Sequence, residues 1–499
     1  MIDGAQSVGR APLSLAEWLL VLVAGYLVVL KLYFSLAAFP IADEAYYWMW
    51  GQHPAWSYFD HPPLQGWVQG LSHSLFGRSL FALRWPSIAA FVGTVWIYLD
   101  LARRLAGAGW RPVFLKGLVV YLAAPMFGLF GSVVFNDYLM VFLALAAGYL
   151  FMHYFGDVEA GGDGRRLHLF GAAALLGLAA LAKYNGALLG IAVAATILLR
   201  PRLRPLLLRP ELYLAASLAI AIQAPVLAFA LQTDFASFRF HLAGRFAGRF
   251  SGIDPQEMAS AAIGTLTMLS PFLVPALLRF FVGWRLTPFE RPARVLALLV
   301  FVLSTVPLLY LANFATILPW WNIAAFVLAL PFLGRHVDRV SLTLHALYGT
   351  AFATLFVVNF TLVPVNVLWG GRPFYETEHA FGWTEVGAAV TAAQRSHGTQ
   401  FLATNRYQTA SQLAFALDDS AVVALSSRRD AFDDWFDPVT RQGQSAIVLV
   451  DGRDDMQTFR LHFEQMREIG TVTAGPFGHQ LLTYTLYLGE GFRPLPDDG

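Results

Sequence analysis

The chain has 499 residues, 57% of them hydrophobic and 13% charged, with a formal net charge of +1 and no cysteine. So little charge excludes an ordinary soluble protein of this length. The near-zero balance offers no hold on nucleic acid, and the missing thiols exclude disulfides, thiolate metal sites and a cysteine nucleophile.

Repeated apolar stretches of roughly 17–25 residues predict membrane-spanning helices. About eleven are expected, near 17–39, 82–102, 114–130, 137–155, 168–182, 186–199, 212–232, 258–282, 294–312, 322–334 and 341–363. The first reads as a retained helix rather than a signal peptide, because Trp18 to Phe39 is long enough to cross and no clear cleavage site follows a short apolar core. Connections 103–116, 156–167, 200–209, 279–294 and 335–340 hold sixteen Lys/Arg, whereas the opposite set holds five: Arg78, Lys183, Arg239, Arg245 and Arg249. The positive-inside rule then puts the N-terminus in the cytoplasm. The loop at 40–81 and the tail face outside, which in a two-membrane bacterium is the periplasm.

Directly after the first span lies a polar island, I-A-D-E-A-Y-Y-W-M-W-G-Q-H-P-A-W-S-Y-F-D-H-P-P-L at 41–64, with Asp43, Glu44, Asp60, His53, His61 and seven aromatics. Acids at a membrane boundary are costly and are functional candidates by default. Asp43-Glu44 reads either as a general base for an acceptor hydroxyl or as a pair of solvated loop acids. Asn136-Asp137 falls at the outer junction of the third and fourth spans, where it is either a helix cap or a second acid drawn to the same face. Two such acids could share a divalent cation or set each other's pKa.

Cations follow. Lys183, in A-L-A-K-Y-N-G, interrupts the apolar run 168–199, so the chain is expected to turn there. Arg239, Arg245 and Arg249 crowd the loop F-R-F-H-L-A-G-R-F-A-G-R-F. They read either as an amphipathic helix on the lipid surface or as an anion clamp suited to phosphate. His61, before Pro62-Pro63, is a further possible donor.

From about Trp369 the composition turns polar. Gln400–Asn405, Ala421–Ser426, Ser445–Asp451 and Leu481–Leu488 read as strands, and Thr384–Ser396, Gln408–Leu417 and Met456–Ile469 as amphipathic helices. That alternation argues for a small α/β domain over 369–499, behind a membrane domain over 1–368. V-L-V-D-G at Asp451 reads as a structural turn, since no G-x-G-x-x-G follows.

An outward-facing carboxylate base beside phosphate-binding cations suggests sugar transfer from a lipid phosphate. The phosphate leaves as an anion, so cations stabilise it and no general acid is required. Attack by the acceptor hydroxyl from the opposite face inverts the anomeric carbon.

I-A-D-E-A-Y-Y-W-M-W, W-S-Y-F-D-H-P-P-L-Q-G-W, N-D-Y-L-M at 136–140, L-A-K-Y-N-G and I-L-P-W-W-N-I-A-A at 317–325 together resemble the glycosyltransferase-C superfamily. They are similar to its bacterial ArnT-type lipid A glycosyltransferases and protein O-mannosyltransferases, and rhizobial lipopolysaccharide galacturonosyltransferases share the style. The resemblance covers about residues 15–335. It implies a catalytic Asp43 with Glu44 as partner and Asp137 near the acceptor. It further implies Tyr58 and the residue after Asp60, here His61, near the donor phosphate, with Lys183 and the arginines able to take that contact. Tyr46, Asp60, Asn136, Trp320 and Trp321 are expected along the acceptor cavity, although the tryptophans also fit an interfacial aromatic belt. ArnT-type enzymes carry Lys where His61 stands, which argues against aminoarabinose as the donor sugar. Asp60 matches a metal-site acid of that family, but no matching His ligands are evident. The implied partners are a polyprenyl-phosphate-linked sugar, membrane lipids, and lipid A or lipopolysaccharide core as acceptor. The outer arginines favour an anionic sugar. A protein Ser/Thr acceptor and a lipid-linked sugar flippase are the competing readings.

Overall fold

The computed structural model describes residues 12–239, 252–283, 286–426, 428–452 and 459–495. The molecule is a multi-pass helical membrane protein carrying a small mixed sheet near its C-terminus. Its helices are α1 (Leu15–Ala37), α2 (Ala42–Gln52), α3 (Leu64–Phe76), α4 (Leu80–Ala106), α5 (Trp110–Ala123), α6 (Asn136–Glu159), α7 (Arg166–Ala182), α8 (Leu188–Leu199), α9 (Pro210–Ala221), α10 (Ala224–Gln232), α11 (Pro255–Leu269), α12 (Val274–Val282), α13 (Glu290–Leu311), α14 (Arg339–Thr361), α15 (Trp383–His397) and α16 (Tyr407–Leu417), with shorter turns between them.

Among the described residues, five helical runs are long and apolar enough to cross a membrane, or seven if each bent pair is one span. One run, Leu80–Ala123, doubles back, because Phe91 and Tyr98 of α4 both meet the Tyr121 ring of α5. Gly107 makes that reversal with φ +52°. The pair α11–α12 bends by 82° beside Pro271, and α9–α10 by 45°. The span expected at 322–334 is not one. That stretch forms part of a 3₁₀ turn, Pro319–Phe326, and a short helix, Leu330–His336, and Leu330, Phe332 and Leu333 are wholly buried. It is apolar because protein, not lipid, surrounds it.

The sheet has the order β2-β1-β3-β5-β4, with β1 (Phe401–Thr404), β2 (Val423–Ala424), β3 (Ala446–Val450), β4 (Phe463–Ala474) and β5 (Leu482–Phe492). The first three are parallel, and β5 and β4 close the sheet as an antiparallel hairpin. The expected strands and the helices α15 and α16 are present. The expected helix over 456–469 is not: 463–469 belong to β4. Apolar residues at 459, 463, 466 and 469 mimic a helical period. Ladder pairing along nearly the whole of β5, with a bulge at Glu468/Gly470, overrides it.

One joint positions everything that follows. The buried aromatics of α2 (Tyr46, Tyr47, Trp48 and Trp50) share a single hydrophobic cluster with Trp383, Leu413, Phe415, Phe432 and Tyr484 of the C-terminal region. Gln412 donates to the Pro40 carbonyl, and Phe39 stacks on Trp383 at 5.7 Å. Beneath α2, α3 crosses at Gly51 and Gly70, where a Cβ on Gly51 would stand 2.5 Å from the Gly70 nitrogen.

Candidate active site

The N-terminus of α2 is fixed by a buried ion pair. Glu44 and Arg84 are both wholly buried, and Arg84 grips the carboxylate with two arms, Nε to Oε1 at 2.9 Å and Nη2 to Oε2 at 2.6 Å. The remaining lone pairs accept the Ile41 and Val134 amides. The third arm of Arg84 donates to the carbonyls of Phe34, Ser35 and Ala38 at the end of α1. A carboxylate filled in this way has no direction left for a substrate proton. Glu44, expected to share catalysis with Asp43, is therefore a positioning residue that locks α1, α2, α4 and the 133–134 segment together.

Asp43, one residue earlier, points the other way and is half-buried. Tyr407 of α16 donates to its Oδ1 at 3.4 Å. Burial first, then the Asp60 charge, push its carboxyl up to about 6, against the pull of Tyr407 and Arg428. Asp60 itself is buried, with Oδ2 taking the Tyr46 hydroxyl at 2.7 Å and Oδ1 taking Arg428 at 3.2 Å. The Tyr46 hydroxyl in turn accepts the Ala431 amide. Asp430 is pushed up to about 7, chiefly by burial.

Asp137 pairs with Lys183 at 2.7 Å, both partly buried. The Tyr47 hydroxyl is raised by burial first and then by the charges of Asp43 and Asp137. Asn136, wholly buried, leaves both side-chain polar atoms unpartnered. Asp137 and Trp320 line one narrow cavity between α4, α5 and α6, with Trp320 against Phe130 at 5.0 Å. Trp321 packs the other way, against a small cluster containing Ile317.

Some expected residues go elsewhere. Tyr58, expected near the donor phosphate, is buried and stacked on Trp50 at 4.4 Å. Its hydroxyl donates to the carbonyls of Trp50 and His53, so it serves the loop instead. His61 is half-buried, its ring edge-on to Tyr47. Arg239 pairs with Asp234, both exposed, although neighbouring Ser237 and Phe238 touch Tyr184 beside Lys183. Arg245 and Arg249 lie outside the described residues.

Residues 60–229 match the family model for dolichyl-phosphate-mannose-protein mannosyltransferases. No curated protein matches the chain in sequence. In structure, the chain is similar to ArnT from Cupriavidus metallidurans, bound to undecaprenyl phosphate and in the apo state. Each superposition has a TM-score of 0.63 at 16% identity and covers 95% of this chain and 98% of that one. The chain has the ArnT fold. That is the fold the motifs implied. The matched family segment holds Asp60, Asp137 and Lys183, while Asp43 precedes it and Tyr407, Arg428 and Asp430 follow it.

A divalent cation does not fit the site as built. Both Asp60 oxygens are engaged by Tyr46 and Arg428. No group of three or more His, Cys, Asp or Glu is arranged to hold a metal among the described residues. The sequence reading missed Arg84, Tyr47, Tyr407, Arg428 and Asp430. Arg84 was detectable, as a lone charge within an apolar window. The tail residues carry no local signal, since their approach to α2 is a tertiary fact.

Proposed function

We propose that the chain is an inverting glycosyltransferase that moves a sugar from a polyprenyl-phosphate carrier to a hydroxyl on lipid A or lipopolysaccharide core. The site faces outward from the bacterial inner membrane in this reading. The observation that carries it is the half-buried Asp43 carboxyl, pushed up to about 6 inside an ArnT fold. Asp43 takes the acceptor proton as the hydroxyl oxygen bonds to the anomeric carbon, and the bond from that carbon to the phosphate oxygen breaks with its electron pair. The phosphate leaves as an anion. Lys183 offers it charge, since one of its three donors is used on Asp137 and two remain. Arg84 and Glu44 hold the base, Tyr407 tunes it, and His61, Arg245 and Arg249 are assigned to the donor side. Membrane lipid and the polyprenyl tail occupy the apolar flanks.

The test is transfer of label from polyprenyl-phosphate sugars to an envelope extract by purified wild type and Asp43→Asn. Label in lipid A or core with wild type alone supports the reading, and no transfer from any donor overturns it. The mannosyltransferase family match over 60–229 favours a second acceptor, a protein Ser/Thr hydroxyl, which label in protein would establish.

A further inference from the structure

At the end of the bundle opposite Asp43 and Asp137 lies a second polar cavity, of about 450 Å³. Twenty residues of α6 separate Asp137 from Asp157 on its wall, roughly 30 Å along a helix. Three guanidinium groups line it: Arg103 and Arg104 from the end of α4, and Arg165 from the turn into α7. Against them stand two carboxylates, Asp100 and Asp157, and Asp100 is already engaged by the Tyr149 hydroxyl at 2.9 Å. The balance is one net positive charge.

A charge bias between membrane faces requires arginines somewhere near the boundary. It does not require buried donors without acceptors. His153, 9% exposed, also lines the cavity. Arg104 donates to its Nδ1 at 3.1 Å, which leaves the proton on Nε2. That nitrogen is buried with no hydrogen-bond partner, and the nearest carboxylate oxygen, on Asp100, stands 3.8 Å away. His168, on the same wall, likewise keeps a buried unpartnered Nδ1. A buried donor left unmade costs about 1–3 kcal/mol, so a native site that keeps one is built to be completed.

We propose that this cavity binds the phosphate of an anionic phospholipid headgroup. Guanidinium forks and an imidazole N–H supply the donors that phosphate oxygens accept. A lipid rather than a soluble anion follows from the surroundings. Trp96, 58% exposed on the apolar helix α4, meets the Tyr149 ring of the cavity wall at 5.8 Å. Leu167, 82% exposed, stands beside His168. Acyl chains have an apolar surface to follow from the cavity mouth.

The experiment is native mass spectrometry of the purified full chain in detergent, titrated with dioleoyl-phosphatidylglycerol, with dioleoyl-phosphatidylcholine and with sodium phosphate. Half-occupancy by phosphatidylglycerol is expected at a concentration at least tenfold below that for phosphatidylcholine. Arg103→Gln with Arg165→Gln alters two exposed side chains only and should erase that preference, as should Arg104→Gln alone. Equal binding of both lipids, or an unchanged preference in the double variant, would overturn the site. Displacement of the lipid by millimolar phosphate alone would overturn the lipid assignment in favour of a soluble anion. Because the cavity lies far from Asp43, these outcomes are independent of whether the chain transfers sugar.

Discussion

Burial and the Asp60 charge hold the Asp43 carboxyl at about 6, where an ordinary aspartate ionises near 3.9. Such a group is charged at neutral pH and still basic enough to take a proton in the transition state. Transfer should therefore fall as the pH drops through about 6. Tyr407 lowers the Asp43 value by donating to it, so Tyr407→Phe should move the acid limb of the kcat/KM profile to higher pH. An unmoved limb would identify some other titrating group. Stability carries the opposite sign. A raised carboxyl value means that folding disfavours the charged form, so the penalty is absent below about pH 4, grows as pH rises and is complete above the folded value. Asp43→Asn removes it. The variant should melt higher than wild type at pH 8 and at the same temperature near pH 4, while losing transfer. Equal melting at both pH values would show that Asp43 is not strained.

At the scale of elements, the Arg84–Glu44 pair is the pin through α1, α2 and α4. Breaking a buried pair from one side strands the other charge and costs about 3–5 kcal/mol. Arg84→Met should lower the melting temperature accordingly and expose the Val134 amide to hydrogen exchange, whereas Arg84→Met combined with Glu44→Met should recover part of the loss. No recovery would mean that the contacts to the α1 carbonyls, not the ion pair, carry the stability. Legibility in the sequence divides along the same line. The helices of the bundle, the strands β1, β2, β3 and β5, and the acids at 43, 60 and 137 follow from local pattern and from charge out of place. β4 did not, since half of its pairing information sits in β5. Nor did the fates of neighbours: Asp43 and Glu44 are equivalent as letters, and only the 100° turn between successive helical residues sends one to Tyr407 and the other to Arg84. Trp320 and Trp321 part company likewise, as successive residues of a 3₁₀ turn.

The whole molecule is joined through α2. Its aromatic residues bury against Leu413, Phe415 and Phe432 of the C-terminal region, so neither partner presents a finished surface alone. A chain ending before Trp369 should lose transfer even when it remains in the membrane, and the separate 369–499 fragment should self-associate through the apolar face it normally gives to α2. Size-exclusion chromatography of that fragment checks this. A monodisperse monomer would mean that the tail closes its own core.

The hydrogen bond from Tyr407 to Asp43 joins residues 364 positions apart. At about 5–20 residues per second of synthesis, α2 waits roughly 20–70 s for its partner. During that wait the acid stands without the phenol that tunes it and Asp60 without the guanidinium that pairs it. The growing chain therefore carries both acids bare, and their partners arrive late and together, with the last fifth of the message.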